Sequence, residues 1–175
     1  MTRSYLTGWI DENPPFVMIT PGIEDGVLGG DNKPIPAEVV LRQLLGHEMT
    51  HVLTFEDRRP AAGVSSWLTE GYAELVGYDH SRAGATATEL RGSPQVSDWG
   101  WPGTRWAAGW EYEASWTICS FIEESWSRAV LRRFYKSAFY LDPSSPQFDQ
   151  ACQQSMGVGL AEVRRRWLVW IGARS

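Results

Sequence analysis

Two of the chain's three histidines, His47 and His51, stand four positions apart, and Glu48 follows the first of them. On a helix, residues i and i+4 project from one face, so both imidazoles can reach a single ion. Glu48 then lies about 100° round the helix from His47. That places its carboxylate beside the ion, where it can hold and deprotonate a water molecule. The competing reading is a helix with two incidental histidines. Two imidazoles on a helix that is apolar over much of its surface need polar partners, and a metal ion supplies them.

A catalytic zinc ion takes three protein ligands and keeps one position open. Asp57 follows His51 by six residues, the spacing at which metzincin-like proteins place their third ligand; that geometry needs a Gly at position 54, where Thr54 stands, which makes Asp57 the weaker of two candidates. Glu70 follows His51 by nineteen residues, in "SSWLTEGYAELVG". A second helix packed across the first could bring this carboxylate to the open side of the ion. Glu74 lies one turn beyond Glu70. Two carboxylates at that spacing repel, and a bound dication with its histidines removes the repulsion. Glu74 would then accept the second N–H of a ligating histidine, His47 first, and fix its tautomer. A solvated acidic face is the alternative, and Trp67, Leu68, Tyr72, Leu75 and Val76 crowd that surface.

The elements that must position these groups are legible in outline. "FVMIT", Phe16 to Thr20, is a short β-favouring run closed by Pro21-Gly22, and a Gly-rich stretch follows it. Pro36 suits the first turn of a helix that runs to about Phe55. In it Glu38, Arg42, Gly46 and Thr50 form one stripe. A second helix, about Ser65 to Val76, is opened by serines and closed near Gly77. Residues 79 to 109 read as a long irregular excursion carrying Trp99, Trp101 and Trp106, with Trp110 just beyond. Loops of that length in a compact domain usually serve function. Three or four helical segments follow. Ala114, Ile118, Phe121 and Ile122 share a face, as do Val130, Leu131, Phe134, Tyr135 and Ala138, and Leu160, Val163, Trp167, Trp170 and Ile171. A small early sheet with a mostly helical body predicts an α+β fold.

Composition bounds the function. The 175 residues suit one domain with a core, and 43% hydrophobic residues exclude a disordered chain. The net charge of −5 argues against a nucleic-acid partner. The one run of cations is Arg164 to Arg166. Cys119 and Cys152 lack metal-ligand spacing and leave open one disulfide or two buried thiols. No apolar run approaches the ~18 residues of a membrane span. The N-terminus lacks the apolar stretch of a signal peptide. As it stands, the sequence implies a cytoplasmic protein; one trimmed of a leader would be secreted and would read the same way.

"HEMTH", eighteen residues and Glu70 together resemble the gluzincin metallopeptidases, the peptidase-MA-like group that includes the aminopeptidase-N family and thermolysin. "WLTEGYAE" is similar to the W-L-x-E-G-[FYL]-A signature of the aminopeptidase-N-like branch, with Thr69 where Asn is usual. The resemblance implies a single zincin-like domain over residues 1–175, zinc (Zn2+) held by His47, His51 and Glu70, and Glu48 as general base. Glu74 matches the position of an acid that supports a ligand in thermolysin-like members. "WEYEASWTICSFI" resembles the Y-E-x-G stretch whose Tyr stabilises the tetrahedral intermediate, which implies that role for Tyr112, with Ser115 where Gly is common. The tail "MGVGLAEVRRRWLVWIG" resembles the closing G-x-x-x-x-E-x-x-x-x-W helix. Of the exopeptidase G-x-M-E-N loop, "LGGDN" at Leu28 to Asn32 keeps only an acid and an Asn, so endopeptidase and aminopeptidase cleavage both stay open. The implied partner is a peptide or protein substrate. An inactive metal-binding module and a non-peptide hydrolase on the same scaffold are the alternatives. His80, the third histidine, reads as a surface residue, and the Trp-rich loop as a lining or cover of the cleft.

Overall fold

The computed structural model describes residues 7–9, 16–18, 27–28, 34–54, 66–78 and 109–173. Six helices dominate these residues: α1 (Ala37–Thr54), α2 (Ser66–Tyr78), α3 (Gly109–Ser125), α4 (Arg128–Ala138), α5 (Pro146–Met156) and α6 (Leu160–Ala173). Four extended segments precede them. β1 (Thr7–Trp9) pairs antiparallel with β2 (Phe16–Met18), and β3 (Val27–Leu28) with β4 (Pro34–Ile35).

This corrects the expected fold class. The described residues form a helical body, not an α+β domain with an N-terminal sheet packed on the helices. The extended segments are two or three residues long and sit in two separate pairs. Strands this short, punctuated by Pro and Gly, offer no apolar face wide enough to form a layer. Among the described residues the main core cluster is built from helical side chains, with Phe139 just past α4.

The faces read from periodicity are the ones that pack. Ala114, Ile118, Phe121 and Ile122 of α3 are buried, as are Leu131, Phe134, Tyr135 and Ala138 of α4 and Val163, Trp167 and Ile171 of α6. Trp67 of α2 meets Phe134 and Phe148 at ring-centroid distances of 6.3 and 6.1 Å. The buried Trp167 Nε1–H donates to Thr117 Oγ1 at 3.2 Å, so the large indole enters the core with its polar atom satisfied. Cys119 and Cys152 are both buried free thiols. Burial pushes the Cys152 thiol up to about 12, so it stays protonated and unreactive.

Local chemistry sets the helix ends. Pro36 precedes α1, and its carbonyl accepts from Val39 N and Val40 N at 2.9 and 3.2 Å. Ser145 caps α5 by accepting from Phe148 N, with Pro146 at the first helical position. Ser127 caps α4, accepting from Val130 N at 3.3 Å.

Helix α2 packs against both α1 and α3 and so joins the histidine-bearing helix to the rest of the body. Two glycines permit the close approach. A Cβ at Gly71 would overlap the Ser115 carbonyl of α3. A Cβ at Gly77 would lie 2.6 Å from the Gln43 carbonyl oxygen and 2.9 Å from His47 N of α1. The helix ends at Tyr78, one residue past the expected stop near Gly77, and Gly77 is also the point where the two helices cross.

Candidate metal centre

The predicted ligands converge. On α1, His47 and His51 project from one face with their rings edge to face, centroids 4.7 Å apart. Their Nε2 atoms stand 3.0 Å from each other. From α2, Glu70 Oε2 reaches both, 3.2 Å from His47 Nε2 and 3.4 Å from His51 Nε2. Glu74, one turn further along α2, places Oε1 3.3 Å from His47 Nδ1. His47 is buried, and Glu70 and Glu74 are mostly so.

The donor set fits a zinc ion. A tetrahedral ion with bonds of about 2.0–2.1 Å spaces its ligand atoms about 3.3–3.4 Å apart. The three separations here, 3.0, 3.2 and 3.4 Å, lie at that spacing or just inside it. Two imidazole nitrogens and one carboxylate oxygen make a catalytic donor set and occupy three of four positions. Glu74 Oε1 stands 3.3 Å from Nδ1 of His47, within ion-pair reach, and a proton kept on Nδ1 would free Nε2, the atom that faces Glu70 and His51, to ligate. His47, His51 and Glu70 could hold a metal ion; the geometry alone does not name the metal.

The electrostatics of the metal-free cluster agree. Burial alone would lower the His47 pKa. Hydrogen bonds to Glu70 and Glu74 more than reverse this and raise it to about 10. Burial would raise the Glu70 carboxyl, yet hydrogen bonds from His47 and His51 hold it well below the usual carboxylate range. The two carboxylates of α2 thus favour positive charge at His47, and the histidines favour negative charge at Glu70. Glu48 is buried as well. Burial raises its pKa, against the opposing fields of His47 and His51.

The helix that carries the histidines is braced at its end. Thr50 Oγ1 donates to the Gly46 carbonyl and Thr54 Oγ1 to the Thr50 carbonyl, both at 2.7 Å. The Tyr135 hydroxyl of α4 then donates to Thr54 Oγ1 at 3.1 Å. Neither this bond nor the contact of Gly77 with α1 is signalled in the sequence. Their partners are far apart in the chain, and no local pattern announces them.

Tyr112 falls in the first turn of α3, but the placement of its side chain lies outside what is described. Asp57, His80, Gly29 to Asn32 and the Trp-rich segment up to residue 108 also lie outside the described residues. No described helix is long and apolar enough to cross a membrane. Comparison with protein-family models, curated proteins and solved structures finds no match for this chain.

Proposed function

We propose that this chain is a zinc metallopeptidase, with His47, His51 and Glu70 as ligands and Glu48 as general base. One observation carries the reading: Nε2 of His47, Nε2 of His51 and Oε2 of Glu70 meet at mutual distances of 3.0 to 3.4 Å, with the buried Glu48 beside the first histidine. Bound there, zinc supplies Lewis acidity, which polarises a scissile carbonyl and makes water acidic enough to lose a proton near neutral pH.

The chain's own groups supply the rest. Glu48 receives the proton of the attacking water, helped by burial that raises its proton affinity. It returns that proton to the leaving amine. Glu74 holds the His47 ring in its ligating tautomer through Nδ1. Tyr112, carried on the helix that packs against α2, is the proposed hydrogen-bond donor to the oxyanion.

The test is zinc content by elemental analysis together with cleavage of casein and model peptides. Wild type should carry one zinc and cleave; Glu48→Gln should keep the zinc and lose cleavage by about 10²-fold or more. Loaded protein that cleaves nothing would make the chain an inactive metal-binding module. Cleavage of esters but not peptides would make it a non-peptide hydrolase. Zinc retained by Glu70→Ala but lost by Asp57→Ala would overturn the ligand assignment.

A further inference from the structure

The run of cations at Arg164 to Arg166 is locally compensated. Arg165 and Arg166 both bond the Glu162 carboxylate, at 2.7 and 2.8 Å. A different set of cations stands out in three dimensions. Helix α4 carries Arg128, Arg132, Arg133 and Lys136 and no acidic residue, in a chain whose net charge is −5. Arg128 sits in the first turn, where the helix dipole opposes a cation. Arg128, Arg132 and Lys136 follow one another at i,i+4, the spacing at which like charges repel. All three are exposed.

Two of the four are held locally. Arg128 pairs with Glu123, and Arg133 donates to the Ser155 carbonyl at 2.9 Å. Arg132 and Lys136 have no ion pair among the described residues. All four line a shallow, largely open cleft along α4, with Tyr72 of α2 at its edge. Tyr72 follows the ligand Glu70 by two residues and is stacked on Tyr135, centroids 4.4 Å apart. The cleft therefore shares α2 with the metal group.

We infer that this cleft binds a short acidic peptide segment in extended conformation. The cations advance about 6 Å along the axis per i,i+4 step. Alternate side chains of an extended peptide advance by nearly the same amount, about 6.6 Å. Two acidic side chains on one face of a strand can therefore meet Arg132 and Lys136 in register, and a third can reach Arg128 beside its Glu123 partner, with guanidinium groups suited to paired contact with carboxylates. A nucleic acid fits less well. Among the described residues Tyr72 is the one aromatic in the lining, and it spends a face on Tyr135, so these residues offer no stacking platform. The acidic remainder of the chain repels a long polyanion. Binding in this cleft does not depend on peptide-bond cleavage.

The test is fluorescence anisotropy with a labelled pentapeptide bearing Glu at alternate positions, against its Lys counterpart and a short oligothymidylate. Binding is read with both the wild-type and Glu48→Gln proteins, so that failure to bind and failure to cleave are separate results. The Glu peptide should bind with an affinity that falls as salt rises, and R132E/K136E should weaken it at least about tenfold. R165E/R166E changes net charge equally and should leave binding within about twofold. If R132E/K136E does not fold by circular dichroism, R132Q/K136Q replaces it, with at least about threefold weakening expected. No binding at low salt, equal weakening by the two double variants, or tighter binding of the oligonucleotide would each overturn the assignment.

Discussion

At the scale of single residues, the distinction that matters is between groups that ligate and groups that make ligation possible. On the proposed reading Glu74 would belong to the second kind. Its Oε1 stands 3.3 Å from His47 Nδ1, the nitrogen turned away from Glu70 and His51, and would select which lone pair faces them. Glu74→Gln should lower zinc affinity by about 10- to 100-fold with a smaller change in stability. A zinc titration against a fluorescent chelator measures it, and an unchanged affinity would remove Glu74 from the site. Ser127 illustrates a different residue-scale conflict. It caps α4, yet its φ of 147° lies in a region that only glycine adopts without strain. Losing the hydroxyl to Gly costs a few tenths of a kcal/mol, whereas relieving the strain returns about 1 kcal/mol or more. Ser127→Gly should therefore raise the urea midpoint.

At the scale of elements, α2 is the piece that turns two histidines into a site. It lies against α1 through Gly77 and against α3 through Gly71. Gly71→Ala drives a methyl into backbone that cannot swing aside, and about 1–3 kcal/mol of destabilisation is expected in urea unfolding. Gly77→Ala should do less to global stability and more to zinc affinity, because its methyl meets His47 backbone and Cβ. Equal effects on both quantities would refute that division.

These elements also show what is legible in a sequence. The i,i+4 spacing of His47 and His51 is a property of helical periodicity, so it can be read directly, whereas Glu70 stands on a second helix and is picked out by its i,i+4 pairing with Glu74 and by the resemblance of its spacing to the gluzincin pattern. Pro36 marks where α1 begins, and the apolar stripes of α3, α4 and α6 mark their buried faces. Gly77 reads as a terminator because a glycine near a helix end has that local meaning. Its role in contact with Gln43 and His47 exists only once the helices cross. The β-favouring run at Phe16 is extended, as its residue types suggest, but it belongs to no layer. Local propensity reports extension, whereas a layer needs length, and these segments are two or three residues long.

At the scale of the whole molecule, the metal group and the hydrophobic core are in different places. The main apolar cluster among the described residues draws on α2 to α6 and on no residue of α1. Among the described residues helix α1 is held chiefly by α2: by the close approach at Gly77, by His47 and His51 against Glu70, and by His47 against Glu74, with Thr54 bonded to Tyr135 of α4 and β2 also in contact. A zinc ion with two ligands on α1 and one on α2 would clamp a helix that contributes no residue to the main apolar cluster of the described residues. At a free zinc concentration about a thousand times Kd, binding would contribute about 4 kcal/mol to the folded state. Removing the ion should not soften the molecule uniformly. Hydrogen exchange after chelation should show the amides of Val40 to Thr54 losing protection first, while those of α3 and α6 retain most of theirs. Re-addition of zinc should restore the α1 protection, and Glu70→Ala should exchange like the chelated wild type with or without zinc. If α1 and α3 lose protection together and to the same degree, the clamp is not local and α1 belongs to the same cooperative unit as the core.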